Sequence, residues 1–228
     1  MKKKKLTPVL LKSALLFFWI FFVLYPNPVL LAISISRLSR PPINSIQVNE
    51  IIESLDEFSP LEVEEYVYKT LPYRHDWEVY GMPWYFPALE EVLENGRGDC
   101  KTRYSLLASL LENQEIPYEK RISLTHIWVH YEGKIETAIE NNQVSVISSS
   151  EEGGVNIQFP RVDLGSFWRT FVNGFWEVMP LSRKIMLFSS FPVIFGALPV
   201  MLKLIVRGGN RKLELPEELC PETDKTYV

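Results

Sequence analysis

The chain has 228 residues, a net charge of −4 and two cysteines, Cys100 and Cys220. That length suits one ordinary domain with attachments, and the acidic balance gives no reason to expect a nucleic-acid partner. Two cysteines without a CxxC pair make neither a disulfide framework nor a structural zinc site. Mean hydropathy is near zero because apolar residues gather close to both ends, while the middle reads as an ordinary globular sequence.

In chain order, residues 1–36 come first, and we expect a basic cytoplasmic N-terminus and a first transmembrane helix. Lys2 to Lys5 precede an uncharged stretch from Ala14 to Ile33, about 20 residues and enough to cross a bilayer core. Pro26 and Pro28 are expected to kink it or end its regular part. A signal peptide cleaved near Ala32-Ile33-Ser34 is the alternative; both readings send the next residues across the membrane.

Residues 37–164 form the expected domain. QVNEIIESLDEF places Val48, Ile51, Ile52, Leu55 and Phe58 on one helical face. Ser59-Pro60-Leu61-Glu62 resembles a capping box, and a second helix should run to about Thr70. YRHDWEVYGMPWYFP reads as irregular, and a short helix, ALEEVLEN, is stopped by Gly96. In GDCKTRYSLLASLLENQ, Asp99 is a good N-cap. Cys100, Tyr104, Leu107 and Leu111 recur at helical spacing, which puts the thiol on the core-facing stripe. After Pro117 the period changes, and YEKRISL, THIWVHY, KIETAIE and QVSVIS read as short strands with a turn at Tyr131–Ile135. Helices followed by an antiparallel sheet make an α+β domain.

Residues 165–183 hold Phe167, Trp168, Phe171, Phe175 and Trp176 at roughly helical spacing. They suit an interfacial helix at the lipid headgroups, with domain core as the alternative. Residues 184–207 form the expected second transmembrane helix, apolar from Ile185 to Val206 and closed by Arg207, Arg211 and Lys212. The acidic tail, 208–228, contains Cys220 and reads as disordered. The excess of basic residues before the first span and after the second puts both termini in the cytoplasm and the domain outside it. Cys100 and Cys220 then lie on opposite sides of the membrane and cannot pair.

The chemistry rests on Cys100. A thiol at the first turn of a helix meets free N–H groups and the positive end of the dipole, which favour the nucleophilic thiolate. His126 begins a strand expected to lie against that helix and suits proton transfer. A third group should orient the imidazole. If Glu132-Gly133-Lys134 is the loop of a hairpin, His126 pairs with Glu140 across it, and a one-residue change in loop length substitutes Ile139 or Asn141. Glu140 is favoured and Asn141 is its substitute. For the oxyanion, the Cys100 N–H is one donor, and Trp84 or Tyr85 could supply a second or simply pack. Cys100 alone would more often be a buried structural cysteine; the GDC helix and the HIWV strand together favour the catalytic reading. His130 lies on the strand face of His126 and is taken as a rim residue, and His75 as a solvated one. A metal site of Asp99, Cys100, His126 and His130 lacks close ligand spacing. The RGD within GRGDC is better explained by Asp99 capping a helix.

These residues carry a resemblance. ALEEVLENGRGDCKTRYSLLASLLENQEIPYE followed by THIWVHYEGK resembles the transglutaminase-like superfamily over roughly residues 80–142. The shared features are a helix-borne cysteine in a GDC context, a Leu/Ala-rich helix ending at an Ile-Pro turn, and an H-x-W-V strand. The resemblance implies a papain-like fold, Cys100 as nucleophile, His126 as base, and no metal or organic cofactor. The family usually completes its triad with an aspartate after the histidine strand; here only Glu136, Glu140, Asn141 and Asn142 are present. Two functions follow as expectations. One is a membrane-anchored thiol enzyme acting on a protein or peptide amide, hydrolytic rather than crosslinking. The other is an inactive fold serving as a membrane-tethered binding or assembly module. The sequence says nothing of oligomeric state.

Overall fold

In a computed structural model, which describes residues 8–39, 45–55, 58–150, 154–159, 164–201 and 204, the apolar N-terminal segment is two helices rather than one. Helix α1 (Pro8–Leu24) and helix α2 (Pro28–Ser39) meet at a bend of 72°. The break is local chemistry. Asn27 Oδ1 accepts from the Val29 N–H at 3.1 Å, and Pro28 occupies the first position of the new helix. The Lys2–Lys5 run, the basic cluster from Lys203 to Lys212 and the tail with Cys220 lie outside the described residues.

Helix α2 carries both the end of the expected first span and the expected start of the domain, and it is tied to the helices that follow. Its buried Ser34 hydroxyl accepts from the Phe86 N–H at 3.1 Å. Arg37 reaches Glu91 at 2.8 Å and the Phe86 carbonyl at 3.2 Å. Ser34 and Arg37 thus bond the helix to the segment around Phe86 and to Glu91.

Helix α3 (Ser45–Glu53) and helix α4 (Pro60–Thr70) follow. Phe58 lies beyond the end of α3, and the Ser59 side chain accepts from the Glu62 N–H at 3.3 Å to cap α4. The aromatic segment contains a single helical turn, α5 (Asp76–Val79). Helix α6 (Leu89–Asn95) is closed by Gly96 in the left-handed conformation, φ 57°. Helix α7 (Cys100–Asn113) is buried along most of its length and packs against α3, α4 and α6. Its Leu106, Leu110 and Leu111 meet Val63, Val67 and Phe86 in the core.

Four strands complete an antiparallel sheet in the order β2-β1-β3-β4: β1 (Glu119–Ile122), β2 (Ile127–His130), β3 (Ile147–Ser150) and β4 (Val155–Ile157). Strands β1 and β2 pair through Arg121↔Trp128 and Ile122↔Ile127. The expected hairpin after β2 forms only its turn. Lys134 N–H closes onto the Tyr131 carbonyl at 3.2 Å, with Gly133 at φ 83°. The following KIETAIE segment is not a strand. The physical reason is Lys134, whose side chain is only 2% exposed and points inward to two carboxylates, Glu64 and Glu140. The chain beyond it folds into turns, with Asn141 Nδ2 bonded to the Thr137 carbonyl at 2.9 Å. The architecture is therefore α+β.

Helix α8 (Leu164–Phe171) runs into a π-helical turn, Val172–Glu177. Helix α9 (Leu181–Phe191) continues through a second π-helical turn, Pro192–Ala197. Together α9 and its extension give Leu181–Met201, 21 residues that are long and apolar enough to cross a membrane. The bent α1–α2 pair meets the same measure only if taken as one broken span. The chain divides into two compact units, one of Met1–Ile20 with Met186–Val228 and one of Phe21–Ile185. In the first unit, Trp19 Nε1 donates to the Met186 carbonyl at 2.9 Å. The second unit holds everything that follows.

Candidate active site

The GDC segment is shaped by packing before any chemistry. A Cβ on Gly98 would lie 2.1 Å from Thr102 Oγ1 and 2.5 Å from Thr102 Cβ. Only glycine lets the chain enter α7 so close to its own first turn. Asp99 then caps the helix, accepting from the Lys101 N–H at 2.9 Å. Cys100 occupies the first helical position, where its own N–H has no acceptor within the helix. It is a free thiol, partly buried.

His126 is set by the tight turn that joins β1 to β2. Ser123 N–H donates to the His126 carbonyl at 2.8 Å, and the Ser123 hydroxyl accepts from the His126 N–H at 3.0 Å. Strand β2 packs directly against α7, which carries the imidazole to the thiol. His126 Nε2 bonds Glu140 Oε1 at 2.7 Å, and the ring also hydrogen-bonds the Cys100 side chain. With Nε2 held by the carboxylate, Nδ1 is the atom left for sulfur. Trp128 stacks beside the ring, centroids 5.8 Å apart.

The structure thus brings Cys100, His126 and Glu140 together. Glu140 arrives from a buried turn, not from the cross-strand position that pointed to it, while Asn141 bonds its own loop. Glu140 Oε2 meets Lys134 Nζ at 3.0 Å, and Lys134 in turn bonds Glu64. Tyr131 donates to Glu64 at 2.5 Å, and Tyr68 donates to Glu140 Oε1 at 3.2 Å. The result is a row of alternating charge running Glu64, Lys134, Glu140, His126.

Sequence reasoning missed Glu64 and Lys134. Glu64 did leave a signal, because it sits one helical turn from Val67 on the buried side of α4. A carboxylate on an apolar stripe asks for a partner. Lys134 left none, since a lysine after Glu-Gly in a turn reads as solvated.

Electrostatics follow from the row. Burial alone disfavours a charged imidazole, but its interactions with Cys100 and Glu140 outweigh it, so His126 is pushed up to about 9. For Glu140, burial is outweighed by His126 and Lys134, which hold it down at about 2. The ring is therefore cationic at neutral pH and held against an ionised carboxylate.

A second buried ion cluster stands on the other side of Cys100. Lys101 Nζ bonds Asp99 and lies 2.9 Å from Asp76 Oδ2. Asp76 also accepts the Tyr85 N–H at 2.8 Å, and burial pushes it up to about 7 against the pull of Lys101. The Tyr85 N–H is thereby engaged and is not a second oxyanion donor, and the Tyr85 hydroxyl donates to Glu91 at 2.7 Å. Trp84 lines the groove over Cys100.

His130 ends β2 opposite Glu119, and burial together with Arg121 lowers its basicity. His75 caps α5, with its ring against Tyr73. Among the described residues no group of three or more His, Cys, Asp and Glu is arranged to hold a metal ion.

The groove has a volume of about 560 Å³ and is bounded by Trp84, the Ser123–Ile127 turn and the Phe167–Phe175 segment, with Cys100 and His126 in its wall. Compared with family models, curated proteins and solved structures, the chain matches none.

Proposed function

We propose that the protein is a membrane-anchored thiol enzyme of transglutaminase-like type, papain-like in its domain, acting on an amide carbonyl of a protein or peptide outside the cytoplasm. The observation that carries this reading is the placement of one imidazole between a helix-N-terminal thiol and a buried carboxylate, with Nε2 2.7 Å from Glu140. The glutamate fills the role that aspartate usually has, and its ionised state supports a cationic His126 at neutral pH. A cationic imidazole beside sulfur favours thiolate.

The reaction follows from those groups. Cys100 sulfur attacks the carbonyl carbon and a C–S bond forms. The negative oxygen faces the Cys100 N–H at the start of α7. The C–N bond breaks as His126 gives its proton to the departing amine. Water then attacks the thioester, His126 takes the water proton, and the C–S bond breaks to release acid and thiolate. Glu140 keeps the ring oriented throughout and stabilises its cationic form.

The test is the rate of Cys100 alkylation by iodoacetamide in the detergent-solubilised full chain carrying Cys220→Ser. Fast modification at neutral pH, slowed about tenfold or more by His126→Ala, is the expected result for an activated pair. A rate that climbs only near pH 8–9, as for an ordinary thiol, and ignores His126 would overturn the enzyme reading and leave a binding or assembly module.

A further inference from the structure

The groove above Cys100 carries information about what enters it. Its large apolar side chains come from several separate places, among them Leu38 on α2, Trp84 before α6, Leu124 in the β1–β2 turn, and Phe167, Phe171 and Phe175 from α8 and its π-helical extension. The aromatic wall is built, not draped. Phe171 and Phe175 stack with centroids 4.9 Å apart, Phe175 packs on Trp77 at 6.1 Å, and a Cβ on Gly174 would lie 3.8 Å from the His75 ring. Of the charged residues that line it, Asp99 and Lys101 bond each other and are buried, and His126 is paired with Glu140. A substrate charge placed there would lose hydration and find no free counterion. Apolar surface placed there would leave water against aromatic faces on both sides.

We infer that the acyl donor is a peptide with an uncharged, bulky apolar residue, aromatic or leucine-like, next to the scissile carbonyl, seated between the Phe167–Phe175 wall and Trp84–Leu124. This rests on the reading of Cys100 as nucleophile. Charged neighbours are excluded by the paired state of Asp99, Lys101 and His126, and small ones leave the wall unfilled. One of the two walls, Phe167–Phe175, lies on α8 and its extension, the segment that precedes α9 in the chain.

Peptidyl acyloxymethyl ketones test this directly. Cys100 sulfur displaces the carboxylate from the ketone methylene, so that a C–S bond forms as the C–O bond breaks, and the label is permanent. Four probes differ only in the residue beside the reactive ketone: Phe, Leu, Lys or Glu. They are compared on the full chain with Cys220→Ser in detergent, each rate divided by the iodoacetamide rate of the same sample. Phe and Leu probes should label about tenfold or more faster than Lys and Glu probes, as burial of such a side chain implies. Phe171→Ser should cut that ratio below about threefold, whereas Phe188→Ser, in α9 and outside the groove, should keep it.

Equal rates across the four probes, a preference for Lys or Glu, or no labelling by any probe while iodoacetamide still reacts quickly would overturn the assignment of substrate class. The nucleophile reading stands or falls separately, on the iodoacetamide rate and its dependence on His126.

Discussion

At the scale of single residues, the row Glu64, Lys134, Glu140, His126 decides how the site behaves. Each charge is flanked by its opposite, which is what allows four ionisable groups in so little water. Glu140→Gln removes the negative partner of the ring, so the titration of His126 should move down from about 9 towards the ordinary histidine value near 6.5. Imidazole NMR signals in the solubilised chain can follow it, since only His75, His126 and His130 contribute. An unmoved midpoint would mean that Glu140 is a bystander. Lys134→Met is the harsher change. It leaves Glu64 and Glu140 buried with no cation between them, and should cost on the order of 3 kcal/mol in denaturant unfolding. Adding Glu64→Gln should recover part of that loss by removing one of the stranded charges.

Linkage gives these shifts a direction in stability. His126, raised from 6.5 to about 9, contributes stability that is complete below 6.5 and vanishes as pH climbs through 9. Glu140, lowered from 4.5 to about 2, contributes stability present above 4.5 and lost as pH falls through 2. The pair therefore supports the fold most between about 4.5 and 6.5. Thermal unfolding should occur at lower temperature at pH 9.5 than at pH 6, and His126→Gln should shrink that difference. An equal drop in both proteins would mean that the ring is not held as described.

At the scale of elements, much of the domain was legible, and the reasons are physical. Helix α7 announced itself through Asp99 as cap and through Tyr104, Leu107 and Leu111 on its inner stripe, all of which are buried. Gly98 was read only as part of a motif, because its reason is a contact with Thr102 that no local pattern reveals. Gly98→Ala should destabilise by roughly 2 kcal/mol or more, since the new methyl would collide with the Thr102 side chain, Cβ included. Thr102→Ala should not rescue it, because Thr102 Cβ itself stands 2.5 Å from the added carbon. Rescue in a melting experiment would show that the hydroxyl alone sets the limit. Strands β1 and β2 were legible from β-branched and aromatic residues. The strand expected after Lys134 was not formed, because alternation along KIETAIE cannot report that its first lysine is drawn inside. Glu140 was reached through a wrong pairing and a right distance along the chain.

At the scale of the molecule, the proposed chemistry and the proposed topology depend on each other. A lone thiol outside the cytoplasm stays reduced only if it has no cysteine to pair with. The chain offers one other candidate, Cys220, beyond the second apolar helix. If Leu181–Met201 spans the bilayer, that helix separates the two sulfurs, and Cys100 remains available for chemistry in an oxidising space. The basic residues favour this arrangement, with Lys2 to Lys5 before the first apolar segment and Arg207, Arg211 and Lys212 after the second. A membrane-impermeant maleimide added to intact cells making the full chain should label Cys100 and spare Cys220, and should reach Cys220 only after the membrane is opened. Labelling of Cys220 in intact cells would place the tail outside with the thiol. The oxidising compartment would then let the two cysteines meet, and Cys100 could be held inactive as a disulfide.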